Sequence, residues 1–322
     1  MILETTMLYL YVETPLHAGT GSGLSSVDLP IQRERTTQYP MIQGSGIKGK
    51  LRSAAYRAVG AKNAAWTKDE IFTVFGPEEN GSDHAGALIA GDARILLFPV
   101  RSLSGVFAYA TSIHVLNRFL RDMKRAGKSI SWDLDVQVTQ QAALVPQTKC
   151  TVTAENTLVL EEFSFTARPS SDVDTIAEWI ANNVFPQKQA GSESEPDEYK
   201  YWREKVQTSL VILSDNDFRD FVVNATEIIT RVRIKRDTKT VEGGALWTEE
   251  HLPADTVLYV PIYATDARKM KVNGNGKSEP AMSASAILAK ARSLEESQQG
   301  YIQLGGDETV GRGIVCMHWQ KA

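Results

Sequence analysis

The sequence predicts an α+β fold, and three observations lead to that prediction. Strand-like and helix-like segments are interspersed along the 322 residues, without the regular alternation of a parallel sheet. Long polar insertions separate several of these segments. Hydrophobic residues make up 42% of the chain and charged residues 23%, as in ordinary globular proteins, so a sizeable core is possible.

Periodicity and end signals predict the elements in chain order. The first strand is predicted over 7–18, which is rich in Leu, Tyr and Val, and a helix over 43–59 begins at a second glycine cluster. Further helices are predicted over 68–76, 112–127, 172–185, 214–225 and 284–297, and further strands over 87–100, 158–168, 226–237, 255–264 and near the C-terminus. Gly243 and Gly244 predict a hairpin tip, with 255–264 as the partner strand of 226–237.

Several classes of protein are not indicated. No run reaches the ~18 apolar residues of a membrane span, and the N-terminus lacks the layout of a signal peptide, so we expect no membrane association and a cytoplasmic location. Cys150 and Cys316 lie far apart and suggest neither a disulfide framework nor a zinc site. The H-E-x-x-H, G-x-S-x-G, P-loop and paired-carboxylate motifs are all absent from the sequence.

Positive charge is concentrated in two segments, although the net charge is −4. The basic residues of 31–57 and 231–239 are Arg33, Arg35, Lys48, Lys50, Arg52, Arg57, Arg231, Arg233, Lys235, Arg236 and Lys239, opposed only by Glu34 and Asp237. Such segregation permits a basic binding surface on an acidic protein. For either cluster alone, an ordinary solvated surface is an equally good interpretation.

The second glycine cluster predicts a phosphate site. Gly44 and Gly46 lie at the start of a helical pattern whose first turns carry Lys48, Lys50 and Arg52. Free amides at a helix start, with cations one turn in, favour binding of a phosphate chain.

Asp28 is a lone carboxylate between glycine-rich and arginine-rich loop segments. Arg33 and Arg35 are expected to keep it ionised, a state suited to binding a metal or positioning a 2′-hydroxyl. An ordinary loop acid is the alternative. His17, beside the same loop, is either a general base or, more commonly, a structural histidine.

The segment 244–253 carries Trp247, Glu249, Glu250 and His251 directly after a basic strand. One interpretation is a surface hairpin with an anchoring tryptophan. The other is an arm whose apolar tip wedges between nucleotides while its stem follows the phosphates.

Four motifs together resemble a known family. They are VDLPIQRE, GSGIKGKLR, LWTEEHLP and GGDETVGRG, and the similarity extends from about residue 8 to 315. The chain resembles the RAMP superfamily and, more narrowly, the repeated backbone subunit of the type III-B (Cmr) CRISPR effector complex, an antiviral defence system.

The resemblance implies a fold and an assembly. A single RAMP domain over 1–322 is expected, with a modified ferredoxin-like (RRM-like) palm, helical insertions at about 60–85 and 165–225, and a β-hairpin thumb at about 230–265. Such subunits stack along a CRISPR RNA (crRNA), and each thumb kinks the guide–target duplex. The implied partners are crRNA, target RNA, further copies of the chain and other subunits of the complex.

The resemblance also implies a chemistry. Asp28 matches the acid needed to cut target RNA at regular intervals, with a divalent metal, Mg²⁺ or Mn²⁺, for which Asp28 is the expected ligand. His17 and Glu249, Glu250 or His251 are implicated beside it, and the general acid stays open. Attack by the 2′-hydroxyl is expected to give a 2′,3′-cyclic phosphate and a 5′-hydroxyl.

The expected RNA-binding residues combine the basic and glycine-rich segments. They are Gly44, Gly46, Lys48, Lys50, Arg52, Arg33, Arg35, Arg231, Arg233, Lys235, Arg236, Trp247, Gly305, Gly306 and Arg312. Two other functions fit the same residues: a catalytically silent crRNA-binding filament subunit, and a stand-alone crRNA-processing RAMP endoribonuclease with a histidine-centred site.

Overall fold

A mixed sheet of 13 strands forms the frame of the computed structural model, which describes residues 2–21, 27–60, 66–78, 84–130, 132, 137–187, 196–272 and 278–321. The strands are β1 (Glu4–Val12), β2 (Met41–Ile42), β3 (Leu88–Ala90), β4 (Ala93–Arg101), β5 (Phe107–Ser112), β6 (Ala142–Pro146), β7 (Thr153–Ala154), β8 (Thr157–Leu160), β9 (Phe163–Ser170), β10 (Leu210–Leu213), β11 (Glu227–Ile234), β12 (Val241–His251), β13 (Val257–Ala264), β14 (Met270–Val272), β15 (Ser278–Pro280), β16 (Tyr301–Gln303) and β17 (Ile314–Trp319). The helices are α1 (Gly44–Arg57), α2 (Lys68–Phe75), α3 (Ile113–Arg125), α4 (Ser171–Asn183), α5 (Lys200–Ser209), α6 (Asp215–Asn224) and α7 (Ala284–Ser297), with a short 3₁₀ helix at Glu308–Val310.

The main sheet is ordered β16-β17-β1-β13-β4-β5-β10-β6-β9-β8-β7, with β2 added to β4 and β3 added to β13. Most neighbours are antiparallel, whereas β10 pairs with β5 and β6 pairs with β9 in parallel. Two further pairs, β11–β12 and β14–β15, are separate ribbons. The predicted α+β class is confirmed.

Strand β1 lies at the centre of the core, between β13 and β17. Its residues from Met7 to Val12 are at most 4% exposed, as expected for a strand covered on both faces. The predicted strand over 7–18 is too long, because β1 ends at Val12. Pro15 has no amide hydrogen to continue a ladder, and the chain leaves the sheet there toward the site described below.

The hairpin partner predicted from the sequence is wrong. β11 pairs with β12, not with 255–264, which forms β13 between β1 and β4. All residues of β13 except one are buried, so its apolar sequence suits the sheet centre. The hairpin turn lies at 235–240, where the amide of Lys235 donates to Thr240 O, and Gly243 and Gly244 lie within β12.

The predicted helices over 68–76, 112–127, 172–185, 214–225 and 284–297 are confirmed, within a few residues at their ends. Side-chain caps explain where they begin. The caps are Thr67, Ser112, Ser170, Ser214 and Ser283, and each accepts a hydrogen bond from a first-turn amide. Helix α5 was not predicted; its aromatic and charged sequence has no clear period and depends on packing against α4.

The two predicted insertion regions contain four of the seven α-helices in the described residues. The described part of 60–85 holds α2, while residues 61–65 and 79–83 lie outside the described residues. The described part of 165–225 holds α4, α5 and α6, and it contributes β10 to the main sheet; residues 188–195 lie outside it. In the described chain, no helix is both long and apolar enough to cross a bilayer.

Candidate functional site

The loop that carries Asp28 pairs with the base of the β11–β12 hairpin. The amide of Leu29 donates to Thr248 O (3.0 Å), and the amide of Glu250 donates to Leu29 O (3.0 Å). The loop therefore follows the edge of β12 that faces away from β11. This pairing brings residues near 28 and near 250 together, although the chain separates them widely.

Asp28 is exposed, and Thr248 holds its carboxylate in place. Asp28 Oδ2 accepts hydrogen bonds from the Thr248 amide (2.8 Å) and from Thr248 Oγ1 (2.9 Å), while the Asp28 amide donates to Thr248 Oγ1 (3.0 Å). The backbone bond and then the side-chain bond from Thr248 lower the pKa of the Asp28 carboxyl. An ionised, oriented carboxylate results, presented to solvent at the hairpin base.

The expected cause of this ionisation was wrong. Arg33 does not contact Asp28; it donates to Gln38 O, to Val222 O and to Glu250 Oε1. Arg35 is exposed. The hydrogen bonds from Thr248, a residue that was not predicted, take the place of the arginine charges.

Glu250 is buried, and its carboxylate links the loop to the hairpin by hydrogen bonds. Its Oε1 accepts from Arg33 and from Thr226 Oγ1 (2.8 Å), and its Oε2 accepts from the Ile31 amide (3.0 Å). With 6% exposure and both oxygens occupied, it has little capacity left for a substrate. These contacts favour a structural role for Glu250 over the catalytic role that the resemblance implied.

The opposite face of β12 carries a second cluster. Trp247, Glu249 and His251 alternate along one face of the strand. Glu249 Oε2 accepts from Arg231 Nε (2.8 Å) and Glu249 Oε1 accepts from Trp247 Nε1 (2.7 Å). Arg231 is thus part of an ion pair and not a free cation, contrary to the RNA-binding prediction.

Asp307 completes this cluster from the C-terminal glycine-rich loop. Its Oδ2 lies 3.1 Å from Arg231 Nη2 and 3.5 Å from His251 Nε2. The ligand atoms of Glu249, His251 and Asp307 all lie within 4.8 Å of one another. Asp307 was missed as a site residue, although it lies inside the quoted motif GGDETVGRG; its left-handed backbone (φ 61°) marks a specially shaped turn. Asp28 is not a member of this group.

His17 lies against the same cluster. Its Nδ1 is 2.7 Å from Glu250 O, and because a carbonyl can only accept, Nδ1 carries the proton of this hydrogen bond. The His17 and His251 rings are 5.3 Å apart between centroids. Burial, followed by the charges of His17 and Arg312, lowers the pKa of His251, which favours its neutral form.

Two of the predicted RNA-binding glycines shape this cluster. Gly305 has φ +74°, and a Cβ there would lie 2.2 Å from His17 O. The amide of Gly306 donates to the same carbonyl (2.9 Å). Both positions therefore allow the C-terminal loop to approach His17 closely, which brings Asp307 to His251.

The predicted set of free amides at the start of α1 is largely absent. The Gly44 amide donates to Asp92 Oδ1 (2.8 Å), and the amides of Gly46 and Ile47 donate to Gln43 O. Gly44 is buried, and a Cβ there would lie 2.4 Å from Ala90 O. Close packing of the helix on the sheet, more than phosphate binding, explains this glycine.

The basic side chains that follow in α1 differ in whether they already have hydrogen-bond partners. Lys50 Nζ donates to Gln303 Oε1 (2.6 Å), and Arg52 Nη2 donates to Gly76 O (2.9 Å). Lys48 has no partner among the described residues, and burial, followed by the charge of Arg52, lowers its pKa. Lys48 is thus the cation of this group that is most available to a phosphate.

The basic residues of the β11–β12 hairpin also differ in whether their side chains have partners. Lys235 and Arg236 lie exposed at the hairpin turn, and Arg233 forms a loose contact with Glu242 (3.7 Å). Trp247 is half-buried near the hairpin base, away from the turn. The turn is therefore basic, and the wedge predicted at its apex from Trp247 is not there.

The resemblance implies binding of a guide RNA, and Lys48→Ala is expected to weaken that binding to a similar extent for every guide sequence, because phosphate contacts do not read bases. The slope of log affinity against log salt should fall by roughly one unit. Arg33→Gln is the matched control: its guanidinium is occupied, so the variant should lose thermal stability while its salt slope stays unchanged. A guide-dependent loss for Lys48→Ala, measured by filter binding at several salt concentrations, would contradict the assignment.

Comparison with known proteins identifies the family. The family model described as the RAMP superfamily matches residues 9–316. The chain belongs to the RAMP superfamily. It is 36% identical over 314 residues to the CRISPR system Cmr endoribonuclease Cmr4 of Pyrococcus furiosus, covering 97% of this chain and 95% of that protein. It is 25% identical over 324 residues to the CRISPR system CMR subunit Cmr4 of Saccharolobus solfataricus, with 97% and 95% covered.

A solved structure gives the same result for this RAMP chain. The crystal structure of oligomeric Cmr4 from Pyrococcus furiosus superimposes with a TM-score of 0.69 at 30% identity, covering 99% of both chains. The similarity to Cmr backbone subunits, which the sequence motifs indicated, is therefore confirmed.

Proposed function

We propose that this chain is a repeated backbone subunit of a cytoplasmic type III-B CRISPR complex that binds crRNA and cuts complementary target RNA. The observation that carries the proposal is Asp28: an exposed, ionised carboxylate, oriented by Thr248 at the base of a projecting hairpin. Cmr4 of Pyrococcus furiosus supports it, because that relative is named an endoribonuclease and its crystal structure is described as oligomeric. The other subunits of the complex are expected partners.

The hairpin offers a device for displacing a nucleotide. Val232 and Leu246 are directly paired across its strands and are 45% and 62% exposed. Thr248, which holds Asp28, is two residues from Leu246 and on the same face of β12. An apolar surface inserted into the duplex would therefore place the displaced nucleotide beside Asp28.

Asp28 can then act on the ribose of that nucleotide. A regular A-form duplex keeps each 2′-hydroxyl away from in-line attack, so displacement supplies the geometry and Asp28 orients the hydroxyl or accepts its proton. A divalent metal, Mg²⁺ or Mn²⁺, would supply charge stabilisation at the phosphate. Glu249, His251 and Asp307 offer two carboxylates and an imidazole, a ligand set that fits a divalent ion of the Mn²⁺ type.

The test uses the complex assembled on a guide RNA. A complementary RNA should be cut to products ending in a 2′,3′-cyclic phosphate and a 5′-hydroxyl, and the cutting should stop when EDTA is added. A DNA of the same sequence has no 2′-hydroxyl and should remain intact. Products with a 3′-hydroxyl and a 5′-phosphate would show that water, and not the 2′-hydroxyl, is the nucleophile.

Two alternatives predict different results. A silent filament subunit would bind the target without cutting it, and the exposed, ionised Asp28 argues against this. A stand-alone crRNA-processing enzyme would cut repeat RNA as a single chain without metal, and the projecting hairpin has no evident use in that reaction.

A further inference from the structure

The cluster of Arg231, Glu249, His251 and Asp307 at the base of the hairpin contains buried polar atoms without hydrogen-bond partners. His251 is fully buried, and both of its ring nitrogens lack a hydrogen bond in the described structure. Arg231 Nη2 and Asp307 Oδ2 are buried beside it and face each other at 3.1 Å as an ion pair without hydrogen-bond geometry. Buried polar groups are nearly always satisfied in native proteins, by protein, water or an ion. The two unpartnered ring nitrogens of His251, beside this ion pair, indicate that something else occupies the space next to the imidazole.

The charges around that space favour a cation. With the imidazole counted as neutral, Glu249 and Asp307 contribute two negative charges, and Arg231 offsets only one of them. The His251 nitrogen lies 3.5 Å from Asp307 Oδ2 and 3.9 Å from Glu249 Oε2. All three side chains therefore converge on one point, and each offers a ligand atom there.

We propose that Glu249, His251 and Asp307 form a binding site for one divalent transition-metal ion of the Mn²⁺ type. A set of two carboxylates and one imidazole suits such an ion, whereas Mg²⁺ prefers oxygen ligands in an octahedral arrangement. Arg231 is then a competing cation, because it pairs with both carboxylates that the metal would use. This site deepens the function proposed above and rests on it for its purpose, but the binding of the ion can be tested without RNA.

The first experiment measures Mn²⁺ binding to the purified full-length chain by the loss of the free Mn²⁺ EPR signal. The wild-type chain should bind one ion per chain. Glu249→Gln and Asp307→Asn should weaken binding at least roughly 10- to 100-fold. Arg231→Met should instead tighten binding roughly tenfold, because it removes the competing charge. Asp172→Asn, which removes an exposed carboxylate at the start of α4, is the control and should leave the stoichiometry and affinity unchanged.

A second measurement remains informative if an acid variant fails to fold. Pulsed EPR of bound Mn²⁺ should show coupling to an imidazole ¹⁴N nucleus in the wild-type chain, and His251→Gln should remove that coupling. Wild-type protein that binds no stoichiometric Mn²⁺, or that binds it without nitrogen coupling, would overturn the site. So would an ion that is lost in Asp28→Asn but retained in Asp307→Asn. None of these outcomes depends on whether the assembled complex cuts RNA, so failure of the metal site and failure of the proposed cleavage are distinguishable.

Discussion

Asp28→Asn is expected to reduce target-RNA cleavage by about 10²- to 10⁴-fold, the usual contribution of a group that moves or orients a proton. The amide keeps an oxygen that can accept the hydrogen bonds from Thr248, so the local structure should persist while the negative charge is lost. Cleavage is measured under single-turnover conditions, with complex assembly and target affinity measured on the same samples.

The control for this variant is Asp172→Asn, which removes an exposed carboxylate at the start of α4. It should leave the cleavage rate unchanged. The cleavage rate of Thr248→Val should lie between the rates of these two variants, because the change removes the hydroxyl contact to Asp28 and keeps the backbone contact. An Asp28→Asn complex that cuts at the wild-type rate would remove Asp28 from the reaction.

The double variant Val232→Ser and Leu246→Ser is expected to lower cleavage at least about tenfold, because a polar surface is a poor wedge between stacked bases. Both side chains are largely exposed, so the fold and the assembly on the guide should be retained. A 2-aminopurine placed at the displaced position of the target should be bright in the wild-type complex and quenched in the variant.

Leu103 and Val106 provide the matched control for the wedge. They are 81% and 80% exposed in the turn between β4 and β5, and Ser at both positions makes the same chemical change at another surface. That control should leave cleavage and the fluorescence signal unchanged. If the hairpin variant still cuts at the wild-type rate and positions, Val232 and Leu246 do not create the displacement.

The strands and helices of the core could largely be predicted from the sequence, because local signals define them. Serine caps and apolar periodicity indicate α3, α6 and α7, and the apolar run of β1 marks a strand buried on both faces. The pairing of the strands could not be predicted from such local signals. The segment 255–264 is strand-like, as β12 is, and only its packing at the centre of the sheet decides that it is not the hairpin partner.

In the candidate site, too, local sequence features could be predicted, whereas contacts between distant residues could not. Asp28 stood out as an isolated loop acid, and its exposed position agrees with that prediction. The roles of the arginines did not follow from the sequence, since Arg33 pairs with an acid 217 positions away and Arg231 pairs with Glu249 on the opposite strand. Asp307 was missed for the same reason, because only the fold brings the C-terminal loop to His251.

The most direct test of the account uses a target RNA with a single 2′-deoxynucleotide at one of the mapped cleavage positions. If the displaced nucleotide is cut by its own 2′-hydroxyl beside Asp28, that one cut should disappear while the cuts at the other positions continue at their usual rates. The change leaves base pairing and the phosphate chain intact, so target binding should not differ. Continued cutting at the deoxy position would contradict the account, because the bond would then be broken by another nucleophile.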